Sequence, residues 1–405
     1  MTIARDNIDA LTGLRFIAAF TIAFGHSYPD WLAVAGIGMP LFFTLSGFII
    51  HYVYSEAFGA GWRGAAREFA IARVSRIYPL YFVLFAYAFV FTPMGPPLRL
   101  AANFPTLAAC VLGYWSWWPF QVDGNILAGW YFGLSWSVST ELFFYVAYAL
   151  CLYRLARIQT VRRCLVALIG LCVAAYLVFY ALFLTRDAWE PFALAQLPQF
   201  PARTADFNNS FYRWLLYVSP YLRIFEFIGG VLTCQLFLLI RRRPLAVPAR
   251  PGLVAWAGVT TLIALFAGFA YLGPREPWLA AGNHSLPAFL VTLHMNFLFA
   301  PSCYLLILAM ALGGSAIARV LAGQIPRFLG DISYSTYLTH PYASRVMFHT
   351  GLDSAYAVPH LAIVMSLILL LSYLFYRVVE APAKRFLRRL FASGSLGWRS
   401  SPTRV

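Results

Sequence analysis

Apolar residues in this chain run in blocks of about twenty, and the blocks do not alternate with polar positions. Uninterrupted blocks occupy 31–55, 164–184, 252–273, 285–318 and 354–376. Four more, at 10–29, 129–153, 211–240 and 328–350, are interrupted by polar groups. A short one at 77–92 is bounded by Arg76 and Pro93. About twenty apolar residues in a helix cross the ~30 Å hydrocarbon core of a bilayer. Membrane β-barrels lack such runs, because their lipid-facing and lumen-facing residues alternate. The pattern therefore predicts membrane-spanning helices.

Arginine placement orients them. One cluster is Arg63, Arg67, Arg73 and Arg76. The next is Arg154, Arg157, Arg162 and Arg163, and a third is Arg241, Arg242, Arg243 and Arg250. The C-terminal stretch carries Arg377, Lys384, Arg385, Arg388 and Arg389. Cytoplasmic loops are enriched in Lys and Arg, so all four clusters and the N-terminus are expected inside. Seven of the fifteen acidic residues (Asp30, Asp123, Asp187, Glu190, Asp206, Glu276 and Asp353) fall on the other connections. Only one full crossing fits between the first two clusters, and 129–153 is the better candidate. The stretch 98–119 is then re-entrant or interfacial, and Trp115, Trp117 and Trp118 suit an interface. The expected fold is all-α: a polytopic transmembrane helical bundle of about ten full spans plus that segment, with both termini cytoplasmic. Residues 1–390 form one membrane domain and 391–405 a short basic cytoplasmic tail. No internal repeat is evident.

Composition narrows the class further. Of 405 residues, 61% are hydrophobic and 11% charged, and mean hydropathy is +0.70. Soluble domains carry about 25% charge, so a soluble enzyme, a disordered chain, a coiled coil and a disulfide scaffold are all excluded. The net charge of +15 sits in clusters between apolar blocks and is read as loop anchoring, with no nucleic-acid partner. Six cysteines show neither metal nor redox spacing. The first block holds Arg15 and His26 and lacks an uncharged signal core, so it is expected to be a retained span.

Ionisable groups inside spans are costly and usually functional. Arg15 and His26 are eleven residues apart, which places them on one helix face about 16 Å apart along the axis. Arg73 and Arg76, at i and i+3, present two planar forks suited to a phosphate or pyrophosphate, or else anchor the span. Glu141, deep in an apolar helix, needs a partner or a proton; it would orient a histidine or form an interhelical ion pair. Arg223 and Glu226 either face a polar cavity or satisfy each other. His340, in a segment rich in Ser and Tyr, faces a polar cavity or bonds between helices. His51, His284, His294, His349 and His360 lack a patterned partner and are read as packing residues. No HExxH, Walker A, dinucleotide-binding or CxxC pattern occurs, and no metal site is expected. Gly229 and Gly230 are read as permitting close helix packing.

Seven of these stretches, in order, resemble the integral-membrane acyltransferase-3 family, which includes O-acetyltransferases of lipopolysaccharide O-antigen, exopolysaccharide and Nod factor. They begin with Leu11 to Ala19, where Arg15 and His26 match an Arg-(ten residues)-His motif, and Phe42 to Ile50. Arg73 to Pro79 (RVSRIYP) and Trp136 to Tyr145 follow, then Arg223 to Gly230, Ile332 to His340 and Glu380 to Pro382. The resemblance covers essentially the whole chain. One departure is Pro40, which stands where many members carry an acidic residue two positions before the Phe42–Phe43 pair. Many members also continue into a soluble hydrolase-like extension. This chain stops at Val405, and any second activity is expected from another protein.

The resemblance implies a bacterial inner-membrane O-acyltransferase with no permanently bound cofactor. His26 would be the catalytic histidine, as general base or covalent acyl carrier, with Glu141 orienting it or raising its basicity. Arg15, Arg73 and Arg76 would hold the phosphates or guide the pantetheine arm of acetyl-CoA or a related acyl-CoA, which enters from the cytoplasm. The acceptor would be a lipid-linked or exported glycan presented from the outer side. Two rivals are a proton-coupled secondary transporter or flippase using the same buried groups, and a subunit without chemistry of its own. The missing repeat and the seven ordered stretches count against the first. An intact His26 counts against the second.

Overall fold

The computed structural model describes residues 6–27, 32–92, 95–122, 125–127, 133–197, 207–242, 250–272, 282–348 and 357–392. They are nearly all helical. In chain order the helices are α1 (Asp6–Ser27), α2 (Leu32–Ala60), α3 (Trp62–Phe91), α4 (Gly95–Leu98), α5 (Phe104–Leu112), α6 (Trp136–Leu150), α7 (Val161–Leu184), α8 (Arg186–Gln196) and α9 (Phe211–Arg213). They continue as α10 (Pro220–Arg242), α11 (Pro251–Leu272), α12 (Leu286–His294), α13 (Ala300–Leu312), α14 (Ala316–Leu321), α15 (Gln324–Asp331), α16 (Ser333–Phe348), α17 (Ala357–Phe375) and α18 (Ala381–Ala392). Two-residue strands Gln121–Val122 and Asn125–Ile126 pair antiparallel.

Six helical segments among the described residues are long and apolar enough to cross a membrane: Ala33–Ala60, Trp62–Phe91, Val161–Leu184, Phe211–Arg242, Pro251–Leu272 and Leu361–Phe391. The other four expected spans are helical but fall short in length or apolarity. Helix α1 carries Asp6, Asp9 and Arg15, and α6 and α16 have 15 and 16 residues, about 22–24 Å at 1.5 Å per residue. The block 285–318 is not one helix. It breaks between α12 and α13, where residues 295–299 form a turn. Hydropathy could not show this, because both sides of the break are equally apolar. The expected basic loop before 77–92 is also corrected. Arg63, Arg67, Arg73 and Arg76 all lie within α3, whose first half is helix rather than loop. Arginine is a good helix former, and positive charge at a membrane rim does not require loop backbone. The tail at 391–405 lies almost wholly outside the described residues, as do Asp30, Asp123, Asp206, Glu276 and Asp353.

The centre of the bundle is the pair α2 and α10. In their most apolar stretches 67% and 72% of residues are buried, against 17% in those of α7, α11 and the segment beginning at Leu361. The two helices cross backbone to backbone. A Cβ on Gly47 would collide with the Phe227 carbonyl, and one on Gly230 with the Thr44 carbonyl. Small residues let helices approach this closely where lipid offers no hydrophobic drive between them.

A second device holds the irregular backbone. The break before α13 and the π-helical turn Trp214–Val218 expose carbonyls, and such groups survive at membrane depth only when the protein satisfies them. Arg223 does so. Its Nε donates to the Tyr217 carbonyl at 2.9 Å, Nη2 to Met295 at 2.6 Å and Nη1 to Asn296 at 3.4 Å. Nη1 also meets Glu226 Oε1 at 3.0 Å, and the guanidinium lies over the Tyr217 and Trp136 rings. Asn296 Nδ2 donates to Leu216 O at 2.7 Å, closing the clamp. Both charged groups are buried, so losing one strands the other. Arg223→Met is expected to cost about 3–5 kcal/mol, read as a large drop in the unfolding midpoint of the detergent-solubilised protein. Adding Glu226→Met should restore part of that loss, because it removes the orphaned carboxylate.

Candidate functional site

The residues expected to bind a donor come together from two helices. Arg15 of α1 and Arg73 and Arg76 of α3 line one cavity, whose remaining wall is mainly apolar side chains of α2 and α6 together with Tyr334 and Tyr337 of α16. Arg73 and Arg76 share it because i, i+3 spacing keeps them on one face. The Arg73 guanidinium sits among the Tyr54, Phe69 and Tyr145 rings, 5.3–5.7 Å from their centroids. Its Nη2 donates to Tyr54 OH at 3.4 Å. Delocalised, weakly hydrated guanidinium tolerates such aromatic cover.

Glu141 of α6 lines the same cavity and accepts a 2.6 Å hydrogen bond from Ser46 Oγ of α2. The resemblance implies a place beside His26, whereas Glu141 bonds to Ser46 on the arginine side. Below this cavity lies a wider basin of about 750 Å³. Arg15 and Arg76 line both chambers. The basin adds Arg377, Lys384, Arg385 and Arg388, with Asp331 and Glu380 as its carboxylates. Glu380 is held by Ser335 Oγ at 2.8 Å. By sequence alone Lys384 and Arg388 read only as general anchors. Their i, i+4 spacing on an amphipathic helix was the available signal.

His26 ends α1 against His340 of α16. His26 Nδ1 and His340 Nε2 are 3.0 Å apart, and the rings are nearly parallel. His340 Nδ1 lies 2.7 Å from the Tyr337 carbonyl. A carbonyl only accepts, so His340 Nδ1 carries the proton. In a neutral ring Nε2 is then the acceptor, and His26 Nδ1 must donate to it. This chain of bonds leaves the lone pair of His26 on Nε2. The tautomer is thus fixed by geometry, as an orienting partner fixes a reactive imidazole elsewhere.

Tyr337 joins the two regions. Its ring lines the upper cavity, and its hydroxyl accepts from Ser137 Oγ at 2.7 Å and donates to Leu134 O at 2.8 Å. Its carbonyl, one helical turn from the imidazole, holds His340. His26 lies beyond this wall and lines neither chamber described here. Arg223 and Glu226 line neither chamber as well. They form the buried clamp. His51 and His294 are packing residues with partners: His51 between Tyr148 and Gln235, and His294 stacked on Phe269 with Nε2 donating to Ala33 O. His284 packs edge-on against Phe183; His349 and the His360 side chain lie outside the described residues. Among the described residues no three His, Cys, Asp or Glu side chains gather as metal ligands.

A family model described as an acyltransferase domain, that of acyltransferase-3, matches residues 8–377. "Peptidoglycan O-acetyltransferase OatA" of Listeria monocytogenes is 21% identical over 344 residues, covering 83% of this chain and 49% of that protein. "Putative O-acetyltransferase SAR0937" of Staphylococcus aureus is 21% identical over 394 residues, covering 96% of this chain and 59% of its own length. The chain thus spans about half to three-fifths of the relatives it matches. No solved structure matches it significantly.

The histidine pair can be checked without any assay of activity. In protein labelled with ¹⁵N-histidine, the His26 resonances should show a protonated Nδ1 and an unprotonated Nε2. In His340→Leu, which removes the acceptor, that single-tautomer pattern should give way to a mixture.

Proposed function

Because the chain belongs to the acyltransferase-3 family, we propose that it is a membrane O-acyltransferase. In this reading it moves an acyl group, acetyl in the first instance, from acyl-CoA to a hydroxyl of a surface or exported carbohydrate. The observation that carries the proposal is the junction at Arg15 and Arg76. There a basic basin narrows into a mainly apolar cavity whose wall, Tyr337, also holds the His340–His26 pair. Acyl-CoA is a polyanion with a long, weakly polar thioester arm, and the two chambers differ in the same sense. O-acetyltransferase names among the relatives support the reaction type.

His26 Nε2 takes the proton of the acceptor hydroxyl as its oxygen attacks the thioester carbonyl. The C–O ester bond forms and the C–S bond breaks. The CoA thiolate leaves, and the imidazolium returns its proton to it. His340, which never touches substrate, keeps the His26 lone pair on the nitrogen that needs it. Arg15, Arg73 and Arg76 hold the donor, and Glu141 with Ser46 positions the arginine side of the cavity. The positive-inside bias supports a basin open to the cytoplasm, in a bacterial inner membrane, with both termini on that side.

Two measurements test this. Purified protein given acetyl-CoA and a glycan acceptor should release CoA, and His26→Ala should lower the rate by about 10²–10⁴-fold while the protein stays folded and inserted. Equal background release by both would end the enzyme reading. Arg73→Ala with Arg76→Ala should raise the donor concentration for half-maximal rate by at least about tenfold, the scale of two lost charge-assisted contacts. An unchanged dependence on donor would remove the donor-site assignment.

A further inference from the structure

Helix α18 runs on from α17 through the π-helical turn Tyr376–Glu380 and packs against the arginine-bearing α3. Its two sides differ. Phe386, Leu390 and Arg389 are exposed, whereas Lys384 and Arg388 are partly buried. Lys384 and Arg388, one turn apart, line the basic basin together with Arg76. The same two residues also line a smaller adjoining cavity with Tyr54, Arg73 and Arg76. The basin therefore brings six cations around two carboxylates. Asp331 and Glu380 offset part of this charge, and the excess of cations favours a bound polyanion.

The cations reach the basin from three helices, α1, α3 and the α18 segment. Arg15 and Arg76 stand where it narrows into the apolar cavity. Lys384 and Arg388 stand on α18, the last helix to reach the site. More cations line the basin than one diphosphate needs, and a ligand with a further anionic group and a weakly polar arm matches that lining.

Resting on the acyl-CoA reading above, we propose that the inward ridge of α18, Lys384 and Arg388, binds the 3′-phosphate of the donor's nucleotide while Arg15 and Arg76 bind its diphosphate. The site thus recognises a 3′-phosphorylated nucleoside diphosphate in particular, beyond the acyl-thioester arm. A lipid phosphate has the same anionic chemistry, and the test separates the two sources.

Full-length protein in neutral phosphatidylcholine nanodiscs is titrated with CoA and with 3′-dephospho-CoA by calorimetry. The wild type should bind CoA about tenfold or more tightly, the scale of one charge-assisted contact. Lys384→Gln with Arg388→Gln should lose at least about tenfold in CoA affinity and with it the preference for the 3′-phosphate. Lys384→Arg, which keeps the charge, should retain the preference. Arg389→Gln, which removes the same charge from the exposed side, should bind CoA as the wild type does. A double variant that keeps the preference would overturn this assignment alone, as would equal loss of affinity for both ligands. Abolition of CoA binding in phosphatidylglycerol nanodiscs would assign the seat to a lipid headgroup and overturn it too. A wild type that binds neither ligand would overturn the donor reading and this assignment with it.

Discussion

Backbone that is not helical must find its hydrogen bonds inside the protein, because the lipid around it has none to give. One guanidinium meets that demand at the centre of this bundle. Arg223 bonds to carbonyls on either side of two irregular segments, the π turn ahead of α10 and the break ahead of α13. Its charge is balanced by Glu226 one turn along the same helix. Helices α10, α12 and α13 therefore meet at a fixed point. Helix α2, pressed onto α10 through Gly47 and Gly230, inherits that position and carries Ser46 with it.

Sequence and structure agree most closely where the physics is local. Apolar blocks became helices, and the arithmetic of 3.6 residues per turn put Arg73 beside Arg76. Arg15 and His26 sit on one helix as expected, with Arg15 at the two cavities and His26 at the histidine pair. What remained hidden depends on other helices. The partner of His26 is 314 residues away, and no spacing rule reaches that far. Glu141 needed an oxygen or nitrogen partner, but only packing decides that it meets Ser46. The split of 285–318 is invisible to hydropathy, because both sides are equally apolar and the side chain that satisfies its carbonyls, Arg223, lies on another helix. Residues Lys384 and Arg388 were visible as charge, and only the packing of α18 on α3 turns them into a wall.

The site separates its electrostatics from its proton chemistry. Cations crowd the lower basin and thin out upward to Arg73, which is sheathed in aromatic rings. The histidine pair lies beyond Tyr337, whose carbonyl orients His340, which in turn orients His26. This division suits a reaction whose donor is strongly anionic at one end and uncharged at the bond that breaks. In the proposed reaction, the field that would capture the donor does not have to act on the imidazoles.

The α2–α10 crossing carries an evolutionary consequence. A glycine codon can change only to a residue with at least one more carbon, and at Gly47 or Gly230 that carbon has a carbonyl oxygen in its place. No missense change there is small enough to be silent. Selection must therefore act on these two positions independently of the chemistry, although Gly47 is the immediate neighbour of Ser46. Variation among descendants of this gene would show the two glycines frozen for a steric reason next to a serine frozen for an electrostatic one.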